Sequence, residues 1–117
     1  MAYDVDLAER IRELLIEEPG VIETKMFGGL AFLVGGHLAI AASGKGGVLV
    51  RVDPSMSDDL VARTSAYHAV MKGRPMDGWL RVDVGNLRTK RQLATWVSRG
   101  VGYARSMPPK APKPKRR

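Results

Sequence analysis

Cysteine is absent from the 117 residues, which excludes disulfide staples, thiolate catalysis, thiolate-ligated zinc and iron–sulfur clusters, and suits a reducing compartment. Histidine is scarce. His37 and His68 are the only two, and neither sits in a His-x-x-x-His or His-x-Glu spacing, so both read as solvated side chains and neither a metal site nor a cofactor is expected. Long apolar runs are missing as well. The longest weakly polar stretch, Gly28 to Ala42, contains His37 and four glycines and falls short of the roughly 20 residues of a membrane-spanning helix. Met1 to Asp6 is acidic with no apolar stretch behind it, so no secretory leader is expected. The expectation is a cytoplasmic protein that does not engage membranes.

Acidic residues are missing from the last third. The formal net charge of +7 comes from 19 Lys and Arg against 12 Asp and Glu, yet residues 84–117 hold ten of the cations and none of the acids. Residues 1–83 carry the other nine cations and all twelve acids, a balance of −3. The chain is therefore a mildly acidic body with a +10 end. Its length suits one domain, expected over residues 1–109, with 110–117 as a disordered Pro/Lys/Arg tail that has no apolar area to bury.

Apolar spacing sets the expected elements. Leu7, Ala8, Ile11, Leu14 and Leu15 recur at helical intervals and predict a first helix over Asp4–Glu18, ended by Pro19-Gly20. Four short runs follow, Val21–Phe27, Leu30–Val34, Leu38–Ala42 and Val48–Val52, separated by glycine turns that can reverse the chain into an antiparallel meander. The second and third runs are apolar at nearly every position, so one sheet face should be covered by helices and the other by more protein; a homodimer is one way to supply it. Met56–Arg63 reads as a short helix capped by Ser55 or Ser57. Ala66–Met71 has weak strand character, and Trp79–Val84 alternates as a clear strand. Thr89 with Gln92 forms a capping box for a last helix. On its axis Leu93, Trp96, Val97, Gly100, Val101, Ala104 and Met107 share one side, and Arg88, Arg91, Arg99 and Arg105 the other. The fold class is α+β: an antiparallel sheet of about five to six strands flanked by terminal helices, in the order α-β-β-β-β-α-β-α.

Three stretches together resemble the N-terminal domain of the TfoX/Sxy family, bacterial proteins named for their role in turning on natural competence. They are Lys25-Met26-Phe27-Gly28-Gly29-Leu30-Ala31-Phe32-Leu33-Val34 with the glycine turn after it, Gly73-Arg74-Pro75-Met76-Asp77-Gly78-Trp79, and Tyr103-Ala104-Arg105-Ser106-Met107-Pro108-Pro109-Lys110. The resemblance covers roughly residues 7–110. It implies a small α+β domain acting in transcription regulation as a co-activator beside a transcription factor; full-length relatives carry a second, helical domain, and the expectation here is a stand-alone first domain.

The residues themselves offer little chemistry for an enzyme. Ser43-Gly44-Lys45-Gly46-Gly47 lacks the first glycine and the hydroxyl of a phosphate loop and precedes a strand, which argues against nucleotide hydrolysis. Asp53, Asp58, Asp59, Asp77 and Asp83 are all accounted for by strand ends and helix starts. Phe27, Phe32, Trp79 and Trp96 are expected in the core. The strongest functional signal is the basic end: Arg88, Arg91, Arg99 and Arg105 on the helix, continued by Lys110, Lys113, Lys115, Arg116 and Arg117, could give weak, sequence-independent attraction to nucleic acid. The expected function is a non-enzymatic regulatory or interaction module with a protein partner. The alternative is a small domain, binding or catalytic, for an anionic ligand held by Lys25, Arg51 and Arg74.

Overall fold

The computed structural model describes residues 3–26 and 28–108. Its elements run α1 (Val5–Leu14), β1 (Val21–Met26), β2 (Gly29–Val34), β3 (His37–Ala42), β4 (Val48–Arg51), α2 (Pro54–Arg63), β5 (Tyr67–Met71), β6 (Arg74–Val82), a 3₁₀ turn (Val84–Asn86) and α3 (Lys90–Ser106). The six strands form one antiparallel sheet in the order β1-β2-β3-β4-β6-β5. The expected α+β class and meander hold through β4. The chain then crosses over by α2 to the far edge and returns, so β6 lies between β4 and β5. The expected 110–117 tail lies outside the described residues.

Alternation assigns the two faces of the sheet. Phe32, Ile40, Val48, Val50, Leu80 and Val82 point to one side and meet Leu7 and Ile11 of α1 and Leu93, Trp96, Val97 and Val101 of α3 in a single core. Burial at this scale, with Phe32, Ile40 and Leu80 all at 0% exposure, supplies most of the folding free energy. The other side carries a smaller cluster of Ala31, Leu38 and Ala41, rimmed by Met26, Leu33, Leu49 and Trp79. Trp79 is therefore only half-buried and belongs to this second face, not to the main core expected for it. Phe27 lies outside the described residues.

Helix starts follow their caps. The Asp4 carboxylate accepts the Leu7 N–H at 3.1 Å, and Thr89 and Gln92 form both bonds of the capping box at 3.0 Å. At α2 the expected serine cap is replaced by Asp53, whose Oδ1 accepts the Ser55 N–H at 2.9 Å. Pro54 occupies the first helical turn, where its missing N–H costs nothing. Ser57 is instead fully buried and donates to the Pro54 carbonyl. The first helix ends earlier than Glu18, in a turn over Leu15–Glu17.

The weak strand expected at Ala66–Met71 is β5, and it forms a hairpin with β6. Lys72 and Gly73 both have positive φ, 53° and 77°, as a two-residue turn with primed geometry requires. Gly78, at φ 86°, falls in the register shift of β6 against β5, between the pairs Pro75↔Val70 and Leu80↔His68, and beyond it β6 pairs with β5 and β4 at once; the shift hides the strand from any period-two pattern.

Arg12 ties α1 to the edge strand β1. Its Nε lies 2.6 Å from Glu23 Oε2 and its Nη2 2.8 Å from Oε1, and the guanidinium holds the Glu23 carboxyl below the usual carboxylate range. Stability from this pair is thus present above the unfolded-state pKa and lost as pH falls through the lower folded value. Both side chains are partly exposed, so solvent screens the pair and its contribution is small. Glu23→Gln should lower stability to urea slightly at neutral pH, and the difference should vanish once carboxylates are protonated.

Candidate functional site

Helices cover one face of the sheet only. On the other, residues of β2, β3 and β4 such as Gly29, Ala41 and Leu49 and residues of the β5–β6 hairpin such as Val70, Met71 and Met76 border one hollow. The result is a cavity of about 390 Å³ lined by Met26, Gly29, Ala41, Ala42, Ser43, Lys45, Leu49, Ala69, Val70, Met71, Lys72, Met76, Trp79 and Arg81. Its walls are apolar and its lining holds three cations and no acid. Arg81 follows Trp79 by two residues on the same side of β6, and its Nη1 donates to Ser43 Oγ at 2.8 Å. Ser43 is itself buried at 8% exposure and also accepts the Lys45 N–H at 3.1 Å. The glycine loop that failed as a phosphate loop is thus a tight connection that sets Lys45 and Arg81 beside the same hydroxyl.

The three cations expected to share an anion are not brought together. Lys25 lies on the helix side of β1, two residues from the Glu23 that reaches α1. The registers Lys25↔Leu30, Leu30↔Ala42 and Ala42↔Val48 place it level with Val48, roughly 14 Å of sheet away from β4. Arg51 is three residues beyond Val48, alternates to the other side, and has its guanidinium 5.0 Å from the Trp79 ring and 5.7 Å from that of Tyr103. Arg74 is exposed beside the hairpin turn. None of the three lines the cavity. Alternation of single strands could not show this, because it depends on strand order.

The arginines on α3 and just before it divide into two pairs. Arg88 and Arg91 are exposed at the start of the helix and make no salt bridge among the described residues, and Lys90 between them is exposed too. Arg99 stacks over the Trp96 ring at 4.5 Å. Arg105 pairs with Glu18 at 2.6 Å and donates to the Pro19 carbonyl. The helix projection puts all four on one polar side but cannot see that the end of α1 supplies an acid to one of them. Lys110, Lys113, Lys115, Arg116 and Arg117 lie outside the described residues.

Both histidines have structural partners. His37 Nε2 lies 2.7 Å from the Pro108 carbonyl, joining the β2–β3 turn to the end of α3. Since a carbonyl only accepts, the ring proton is on Nε2. His68 Nε2 meets Asp58 Oδ1 at 3.1 Å, and ligand atoms of Asp58, His68 and Asp77, from α2, β5 and β6, lie within 4.8 Å of one another. One imidazole and two carboxylates could bind a borderline divalent metal. Against that, a metal on Nε2 would force the proton onto Nδ1, which is buried with no hydrogen-bond partner in the structure, whereas ligating histidines usually have that second bond. No spacing in the sequence signals this cluster.

Fold and surface together define a small single-sheet α+β domain with a helix-covered core on one side and an open, cation-rimmed concavity on the other. The family model of the TfoX N-terminal domain matches residues 13–104, and the chain belongs to that family. The comparison with curated proteins found no match. Among the described residues no helix is long and apolar enough to cross a membrane.

Proposed function

We propose that the chain is a non-enzymatic regulatory module that works beside a protein partner in transcription, of the competence type, and is held weakly near nucleic acid by its basic end. Family membership supports the regulatory part. The nucleic-acid part rests on one observation: Arg88, Lys90 and Arg91 are exposed around the start of α3 with no acid paired to them among the described residues, in a stretch that contains no acid at all from residue 84 onward. Arg99 and Arg105 contribute less, one being stacked on Trp96 and the other already paired with Glu18.

Each phosphate neutralised on duplex DNA contributes about −0.9 to the slope of log affinity against log salt. Replacing Arg88 and Arg91 together by alanine should therefore make the slope shallower by nearly two. Arg105→Ala should change it by far less, because that charge is spent on Glu18. A labelled duplex titrated across a salt series with the full chain, both variants and a chain ending at Pro109 checks this. No binding of the full chain at low salt removes nucleic acid and leaves a module for protein partners alone.

A further inference from the structure

The cavity between the helix-free face and the β5–β6 hairpin has the size of a small-molecule site, since such sites span roughly 300–1,000 Å³ and are mainly apolar with a few placed polar groups. Here the apolar part is Met26, Leu49, Met76 and Trp79, and the polar part is Lys45, Lys72 and Arg81. We propose that this cavity binds an amphipathic monocarboxylate, with its hydrocarbon body against the methionines and Trp79 and its carboxylate at Arg81.

Three features lead to that ligand class. The first is charge: a lining with three cations and no acid attracts an anion and repels an amine, at a point where the rest of residues 1–83 is net negative. The second is pre-organisation. Arg81 is partly buried, and the Ser43 hydroxyl fixes one arm of its guanidinium. The remaining N–H groups stay in the fork that matches a carboxylate, so little rotamer freedom is left to lose on binding. The third is the wall. Methionine is flexible and polarisable, and walls rich in it adapt to alkyl chains of differing shape. Lys45 and Lys72, both exposed, line the same cavity from the Ser43–Gly47 loop and the hairpin turn and add positive charge to it. A doubly charged phosphate on a polar body would find the cations but leave the apolar wall uncovered. A neutral hydrocarbon would cover the wall and leave Arg81 without a new partner.

The site is separate from the arginines of α3, so it stands or falls without the nucleic-acid reading. Decanoate serves as the probe, with decanol and decylamine as neutral and cationic counterparts. Methyl-labelled methionine makes the readout local, because Met26, Met71 and Met76 line the cavity while Met56 on α2 and Met107 past α3 do not. Decanoate should shift the three cavity methyls in a saturable way and leave Met56 and Met107 in place. Decanol should bind at least tenfold more weakly, and decylamine should not saturate. Arg81→Met should weaken decanoate at least tenfold and leave decanol unchanged. Lys45→Gln, at an exposed side chain, gives the same test without touching the Ser43 bond and should weaken decanoate by two- to fivefold. Equal affinity for decanoate and decanol in the wild-type chain, or decanoate shifts confined to Met56 and Met107, would overturn the proposal.

Discussion

Replacing Gly100 by alanine is expected to destabilise the protein by about 2–4 kcal/mol, while the same change two residues on, Gly102→Ala, should stabilise it by about 0.5–1 kcal/mol. Helix propensity alone predicts the same gain at both sites, since glycine is the poorer helix former at any interior position. The sheet decides otherwise. A Cβ on Gly100 would sit 2.2 Å from the Ala39 carbonyl oxygen and 2.8 Å from its carbon. The colliding atoms are backbone in a central strand and cannot rotate away. Relief requires lifting α3 from β3, and that separates Leu93, Trp96, Val97 and Val101 from the core they fill. Gly102 faces solvent, and a Cβ there meets nothing within 4 Å. Urea unfolding of the two variants, each set against the wild type, tests the sign as well as the size. A stabilised Gly100→Ala would mean that α3 does not depend on this approach to the sheet.

The contrast at Gly100 also marks how far the sequence could be read. Apolar spacing located α1, α3 and the first four strands to within a few residues, because each has one buried face whose period is local. It placed Gly100 on the inner side of α3, but it could not say that a strand backbone lies against it. Strand order is the same kind of information. The insertion of β6 between β4 and β5 is a long-range choice, and the irregular register around Ala69 and Gly78 removes the alternation that would have announced a longer β6. Strand order also decides which cations can meet. Lys25, Arg51 and Arg74 sit near predicted strands or turns, yet the sheet separates them. Lys45, Lys72 and Arg81 come from a glycine loop, a hairpin turn and a strand centre, and they meet at one cavity. The Trp79-x-Arg81 alternation was the visible part of that site. The partners across the cavity were not.

Gly29→Ala is expected to cost about 2–3 kcal/mol and Gly28→Ala about 1 kcal/mol, although only Gly28 has the positive φ, 75°, for which glycine is usually selected. At Gly28 an alanine would pay the strain of the left-handed region and meet nothing within 4 Å. At Gly29 its Cβ would fall 2.1 Å from the Ala42 carbonyl oxygen and 3.1 Å from the Gly44 nitrogen, and a Cβ on Gly44 would lie 2.5 Å from the Gly28 carbonyl oxygen. Gly28-Gly29 and Ala42–Gly44 therefore approach each other backbone to backbone. This gives a physical reason for two adjacent glycines in Met26-Phe27-Gly28-Gly29: one turns the chain and the other admits the neighbouring loop. The consequence reaches the cavity, because Met26 and Gly29 line it from one side of this contact and Ser43 and Lys45 from the other. Forcing the two apart moves Lys45 and the hydroxyl that holds Arg81, so Gly29→Ala should weaken decanoate severalfold at temperatures where the variant is still folded, whereas Gly28→Ala should bind it as the wild type does. Equal losses of stability in the two variants would show that turn conformation alone accounts for the pair. A Gly29→Ala protein that binds decanoate normally would separate the glycine contact from the cavity, leaving Arg81 to be positioned by Ser43 and its own strand.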